Sequence, residues 1–374
     1  MTTETNNGAT NPLQILAQYG QSVWLDFIRR DLITSGELKH LIEGGLRGMT
    51  SNPSIFEKAI AGSSDYKDIL EDPASRELDA KALYEKIAIR DIQDAADRLA
   101  SVYQATERLD GYVSLEVSPA LARDTAGTLE EARRLWKAVN RPNLMVKVPG
   151  TVEGVPAFQQ LISEGININV TLLFAQSAYY DVLEAYLAGL EARAGQGGDL
   201  SHVASVASFF VSRIDTLIDG MAAAKSAGLA GKVAIANAKV TYERSNQIYG
   251  EARWAALASK GAQKQRLLWA STSTKNPAYR DVIYVEELIG ADTVNTMPPA
   301  TLEAFRDHGK VRNSLAEDVP AAHAVMESLE KAGISMKAVT DKLLEDGLKQ
   351  FQTAFDGLLE ATGKASEKVG AGAD

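Results

Sequence analysis

The chain has 374 residues, no cysteine and a formal net charge of −10, from 39 basic and 49 acidic side chains. Disulfides, thiolate catalysis and cysteine-bound zinc are thereby excluded, and the absence of any basic block argues against a nucleic-acid partner. The opening residues, MTTETNNGATNPLQ, are polar where a signal peptide would need a basic start and an apolar run. No apolar run has the length of a membrane-crossing helix, so a soluble cytoplasmic protein with no membrane partner is expected.

Short β-rich runs alternate with amphipathic segments in the order SVWLD (22–26), RGMTS (47–51), YVSLEV (112–117) and LMVKV (144–148), then INVTLL (168–173), VASVASFFV (203–211), RLLWAS (266–271) and DTVNTM (292–297). Several are apolar on both faces, as parallel strands covered by helices must be. Between them lie segments such as AIRDIQDAADRLASVYQATERL, where Ile89, Ile92, Leu99 and Tyr103 recur near the helical period. Eight strands separated by helices predict a (β/α)8 barrel, with a doubly wound sheet as the alternative.

No internal repeat and no Pro-rich or Ser-rich linker divides the chain. The expected layout is a lead-in segment over 1–20, a barrel with its C-terminal helix over 21–361 and a flexible tail over 362–374. The stretch ARAGQGGDLS (192–201) reads as a flexible loop and lacks the Lys-Ser/Thr that a P-loop carries after its glycines. From Met336 to about Ala361, Val339, Leu343, Leu344, Leu348 and Phe351 share one helical face, which predicts a helix packed back on the barrel.

The polar residues within these strands raise the functional question. Lys147 is flanked by Leu144, Met145, Val146 and Val148. Its stem could be buried at a strand end with the head in solvent. Alternatively, burial disfavours the charged form of an amine and makes the lone pair available to attack a carbonyl. Other strand ends also carry groups that packing does not need: Asp26, Thr50 and Asn52, Glu116, Asn169 and Thr171, Ser208, and Ser271. Each has a structural reading of its own, since Asp26 could cap a helix, Thr50 and Asn52 could set a turn before Pro53, and Ser208 could bond backbone. In a β/α barrel, however, the C-terminal strand ends meet at one mouth. A lysine, two carboxylates, hydroxyls and amides gathered there would suit imine chemistry on a polyhydroxylated substrate. The histidines, His40, His202, His308 and His323, show no metal-ligand spacing, so no metal is expected. The tryptophans are expected in the core.

Several of these stretches resemble one family over nearly the whole chain. GMTSNPSIF (48–56), SLEV (114–117), LMVKVPGTVEG (144–154) and GININVTLLF (165–174) resemble, in order and spacing, the second to fifth strands of the transaldolases. WASTSTKNPAYRDVIYVEELIG (269–290) and TVNTMPPATLEAF (293–305) are similar to the longer bacterial branch of that family. The resemblance implies a single TIM barrel of the class I aldolase type with additional C-terminal helices and no cofactor. It implies transfer of a dihydroxyacetone unit between sugar phosphates in the non-oxidative pentose phosphate pathway, by a monomer or homodimer.

By the same resemblance, Lys147 is the Schiff-base lysine and Asp26 the general acid/base at the C4 hydroxyl. Glu116 and Thr171 match residues that hold a catalytic water and relay protons. Asn52 and Asn169 match amides that bind the dihydroxyacetone hydroxyls, with Thr50 beside them. ASFFVSR (207–213) resembles the segment bearing a substrate-binding serine and a phosphate-binding arginine, here Ser208 and Arg213, although Phe209 and Ser212 replace a common Pro and Gly. Ser271 joins the substrate groups. Many transaldolases have an arginine two positions later, where this chain has Ser273, and the phosphate is assigned to Lys275 instead. The alternatives are an aldolase that releases dihydroxyacetone and a non-catalytic barrel. Phe210, where shorter aldolase-type relatives tend to have tyrosine, and the carboxylate of Glu116 favour transfer.

Overall fold

The computed structural model describes residues 11–61, 65–75 and 77–371. Eight strands close into one parallel barrel in chain order, so the doubly wound alternative is excluded. They are β1 (Gln21–Asp26), β2 (Leu46–Thr50), β3 (Val113–Glu116) and β4 (Leu144–Pro149), then β5 (Ile168–Leu173), β6 (Ser205–Phe210), β7 (Arg266–Ala270) and β8 (Thr293–Met297). All eight coincide with the expected runs to within about two residues. Closure is made where Gln21–Leu25 of β1 pair with Thr293–Met297 of β8.

Burial on both faces explains the composition of the strands: every residue of β4, β5 and β6 is buried. Outward side chains meet helices and inward ones fill the barrel. Gly48 is required by this packing, because a Cβ there would lie 2.5 Å from the indole of Trp24, its register partner on β1. Trp24 and Trp269 are fully enclosed, in keeping with the core role expected for tryptophan.

The lower end of the barrel holds a buried ion pair. Arg266 donates to Asp110 at 2.9 Å, and Asp110 also accepts from Ser22 and from the indole N–H of Trp24. Each charge has a partner, which is the condition under which ions are tolerated out of water.

The last helix, Met336–Ala371, lies at the other end. Val339, Leu343, Phe355 and Leu358 are buried, and Phe355 meets Tyr84 edge to face with ring centroids 5.8 Å apart. Each such side chain removed from water contributes about 1.5–3 kcal/mol, enough to pin the helix down. It packs along the helix Pro53–Ala61 and reaches the turn Pro119–Leu121 that follows β3, and β5. Its backbone continues through Ala371, past the end expected at Ala361, so the span assigned to a flexible tail is helical over 362–371. Gly372–Asp374 and residues 1–10 of the lead-in lie outside the described residues. The first part of ARAGQGGDLS is likewise helical, because the helix Gln176–Gly195 runs into it. Among the described residues, no helix is long and apolar enough to cross a membrane.

Candidate active site

The C-terminal ends of the strands surround a cleft of about 500 Å³. Lys147 enters it from β4 with a side chain 6 % exposed, so the ammonium is held in the barrel rather than raised into solvent. Its Nζ donates to the carbonyl of Ser51 at 3.1 Å and stands 3.6 Å from Oε2 of Glu116, its register partner on β3. The latter contact is an ion pair without a hydrogen bond, and Oε2 of Glu116 has no hydrogen-bond partner within the protein. Burial pushes the Glu116 carboxyl up from 4.5 to about 7, against the pull of Lys147.

Asp26 ends β1 and also lines the cleft. It caps no helix. Thr50 donates to its Oδ1 at 2.8 Å, and because a hydroxyl has one proton, Thr50 must accept from Thr296, also at 2.8 Å. The relay Thr296–Thr50–Asp26 fixes the carboxyl rotamer. Burial raises the pKa of Asp26, while Lys147, the Thr50 hydrogen bond and Arg213 oppose the rise.

On the β5–β6 side, the hydroxyl of Thr171 is buried without a hydrogen-bond partner. Just beyond it Leu172 takes a left-handed φ of +61°, and the β5–β6 register slips between Val170 and Leu173. Ser208 lines the cleft and donates to Asn169 Oδ1 at 2.7 Å, a side-chain contact rather than a backbone one. Asn169 in turn donates to Ser114 at 3.1 Å. Neither Asn169 nor Glu116 is in the cleft wall itself: each stands directly behind a residue that is, Ser208 and Lys147 respectively. Asn52 combines two readings, since its Oδ1 caps the helix Pro53–Ala61 at Ile55 N (3.1 Å) while the residue lines the cleft. The cap uses the acceptor end of the amide, leaving the NH2 end as the donor for a ligand.

The remaining wall is cationic. Arg213 opens the helix Ser212–Ile218, lies over the ring of Phe210 with Cζ 5.2 Å from the centroid, and donates to Gln350 at 3.0 Å. Lys275 donates to Ser273 at 2.5 Å. Burial depresses the pKa of both cations; Asp26 opposes this at Arg213, and the Arg213 charge adds to it at Lys275. Two cations that disfavour each other make a site that an anion relieves. Ser271, at a left-handed φ of +54°, faces Ser212 with hydroxyls 3.1 Å apart.

The fold thus gathers all eleven candidates at one mouth. Other polar residues lining the cleft, Thr296, Ser54, Lys58 and Gln350, were not anticipated. Thr296 lies near the end of β8, and the strand-end argument applied to the other seven strands would have found it. Gln350 and Lys58 sit on helices, where polar residues carry no such signal. Among the described residues, no group of three or more His, Cys, Asp or Glu is placed to hold a metal.

A buried amine beside two raised carboxyls and a cationic rim is a site for carbonyl chemistry on an anionic substrate, and sequence comparison supplies the lineage. The family model for Transaldolase/Fructose-6-phosphate aldolase matches residues 23–362. The chain belongs to this transaldolase family. Transaldolase 2 of Nostoc sp. is 48 % identical over 369 residues, covering 94 % of this chain and 97 % of that protein. The Transaldolase of Trichodesmium erythraeum is 47 % identical, covering 96 % and 99 %, and that of Thiobacillus denitrificans 47 %, covering 93 % and 98 %. The chain is therefore an enzyme of the transaldolase family, built on the barrel expected of it.

Proposed function

We propose that this enzyme moves a dihydroxyacetone unit from a ketose phosphate, sedoheptulose 7-phosphate or fructose 6-phosphate, to glyceraldehyde 3-phosphate or erythrose 4-phosphate. The reaction belongs to the non-oxidative pentose phosphate pathway in the cytoplasm, with the enzyme as a monomer or homodimer. The observation that carries the reading is the buried Nζ of Lys147 in the cleft wall, 3.6 Å from Glu116. The transaldolase names of relatives near half identity support the choice of reaction.

In this reading the Lys147 amine adds to the C2 carbonyl, and the carbinolamine loses water to become an iminium. Glu116 and the Thr171 hydroxyl hold the water and pass the protons, a role suited to a carboxyl that titrates near neutrality. Asp26 takes the C4 hydroxyl proton, the C3–C4 bond breaks, and its electron pair is delocalised onto the iminium as an enamine. The first aldose phosphate leaves. The enamine carbon attacks the aldehyde of the second aldose, Asp26 returns the proton, and water hydrolyses the new iminium. Asn52 and Ser208 bind the donor hydroxyls, while Asn169 fixes Ser208 from behind. Arg213 and Lys275, with Ser271 alongside, receive the phosphate.

Borohydride reduction in the presence of fructose 6-phosphate tests the proposal. The peptide containing Lys147 is expected to gain a dihydroxyacetone-derived mass, and Lys147→Ala to lose both label and turnover. Label on another lysine would refute the assignment. Transfer, as opposed to release of free dihydroxyacetone, is read from product formation with and without an acceptor aldose.

A further inference from the structure

The C-terminal helix Met336–Ala371 does more than cover apolar surface. Its residues Gln350, Phe351 and Ala354 form part of the cleft wall, across from the strand ends. Among the described residues, the only hydrogen bond made by the Arg213 side chain is the one from Nη1 to Gln350 Oε1, 3.0 Å. The other constraint on that guanidinium is the ring of Phe210, 5.2 Å from Cζ. An arginine side chain has several rotatable bonds and costs on the order of 2 kcal/mol in rotamer freedom to immobilise. One face stacked and one nitrogen bonded are sufficient to set the plane of the fork. The backbone cooperates, since a Cβ on Gly347, one turn before Gln350, would lie 3.8 Å from Nη1 and 3.1 Å from Leu172.

We infer that Gln350 is a positioning residue for substrate phosphate: it aims the Arg213 fork into the cleft and so tunes selectivity for phosphorylated over unphosphorylated sugars. The inference rests on the reading of Arg213 as a phosphate ligand. The choice of an amide is informative. Glutamine offers an acceptor of the same reach as glutamate but no charge, so it orients the guanidinium while leaving its positive charge for an incoming anion. A carboxylate at the same place would form a bidentate pair with Arg213 and compete with phosphate.

The test is a double-mutant cycle on the full-length enzyme, read as KM and kcat for fructose 6-phosphate and as competitive inhibition by inorganic phosphate. Gln350 is on the exposed side of its helix, so its replacement leaves the core intact. Gln350→Leu is expected to raise KM and the phosphate inhibition constant together by roughly two- to tenfold, the range for one hydrogen bond, with kcat nearly constant. Gln350→Glu is expected to raise both further, because it adds the competing charge. In the Arg213→Ala background, Gln350→Leu should change neither quantity. If Arg213→Ala itself leaves phosphate inhibition unchanged, the phosphate assignment fails and the inference falls with it. If Arg213→Ala weakens phosphate binding but the two substitutions act additively, or if Gln350→Glu binds phosphate as well as the native enzyme, Gln350 does not act through Arg213 and the inference alone is overturned.

Discussion

Glu116 provides the sharpest prediction because its two consequences share one cause. The side chain is 7 % exposed and its pKa is about 7 instead of 4.5. A carboxyl whose pKa is raised by folding stabilises the fold most while protonated. Its contribution is complete below about pH 4.5 and is lost as the pH climbs through about 7. At 1.36 kcal/mol per unit, the span of about 2.5 units corresponds to about 3 kcal/mol of unfolding free energy. Over the same interval the ionised fraction rises tenfold per pH unit, and it is the ionised form that accepts a proton during imine formation. Initial rates of dihydroxyacetone transfer from about pH 5.5 to about pH 9 should therefore show kcat/KM rising with unit slope and levelling near pH 7. Glu116→Gln keeps the volume but cannot ionise. It should lower the plateau by about two orders of magnitude or more, erase the acid limb and flatten urea-derived stability between about pH 4.5 and about pH 7. An acid limb that persists unchanged in Glu116→Gln, together with an unchanged stability slope, would refute the argument.

Other residues make separable predictions. Asp26→Asn keeps the hydrogen-bonding shape beside Thr50 but removes the proton acceptor, so turnover should fall by about two to four orders of magnitude while borohydride still traps substrate on Lys147. Near-native turnover would assign the C4 proton to another group. Lys275→Ala should raise KM for fructose 6-phosphate by roughly ten- to a hundredfold, the worth of a charge-assisted bond to phosphate, and alter activity on unphosphorylated fructose much less. Equal effects on both sugars would remove Lys275 from the phosphate site. At the opposite end of the barrel, Asp110→Ala strands the guanidinium of Arg266, whose side chain is 5 % exposed. Urea unfolding should register a loss of about 3–5 kcal/mol with KM unchanged, and a loss below about 1 kcal/mol would mean that water or a rearrangement satisfies the arginine.

The parts of this molecule that were legible in the sequence are those in which a residue conflicts with its surroundings. Lys147 in LMVKV and Glu116 in YVSLEV are charges in apolar runs that packing does not explain, and the barrel rule sends both to the same mouth. The strands were legible because burial on both faces leaves a nearly continuous apolar run in each. Gln350 carried no comparable signal: a glutamine on the polar side of an amphipathic helix is ordinary, and only the path of that helix over the cleft brings it to Arg213. The left-handed turns at Leu172 and Ser271 were equally silent, since neither is a glycine or an asparagine that would announce such a φ. The last helix runs on into GKASEKVGAGAD, where an apolar face is no longer visible but lysine, glutamate and alanine residues are good helix formers.

The position of Gln350 and Phe351 in the chain sets the timing of activity during synthesis. All eight strands, with Lys147, Asp26 and Arg213, have been translated by Met297, but the cleft wall formed by Gln350, Phe351 and Ala354 has not. At about 5–20 residues per second, the ribosome needs several seconds more to supply them. A nascent barrel in that interval has its amine and its carboxyls but an open side and an untethered arginine. The transition from catalytic parts to a complete cleft is thereby tied to delivery of a single helix.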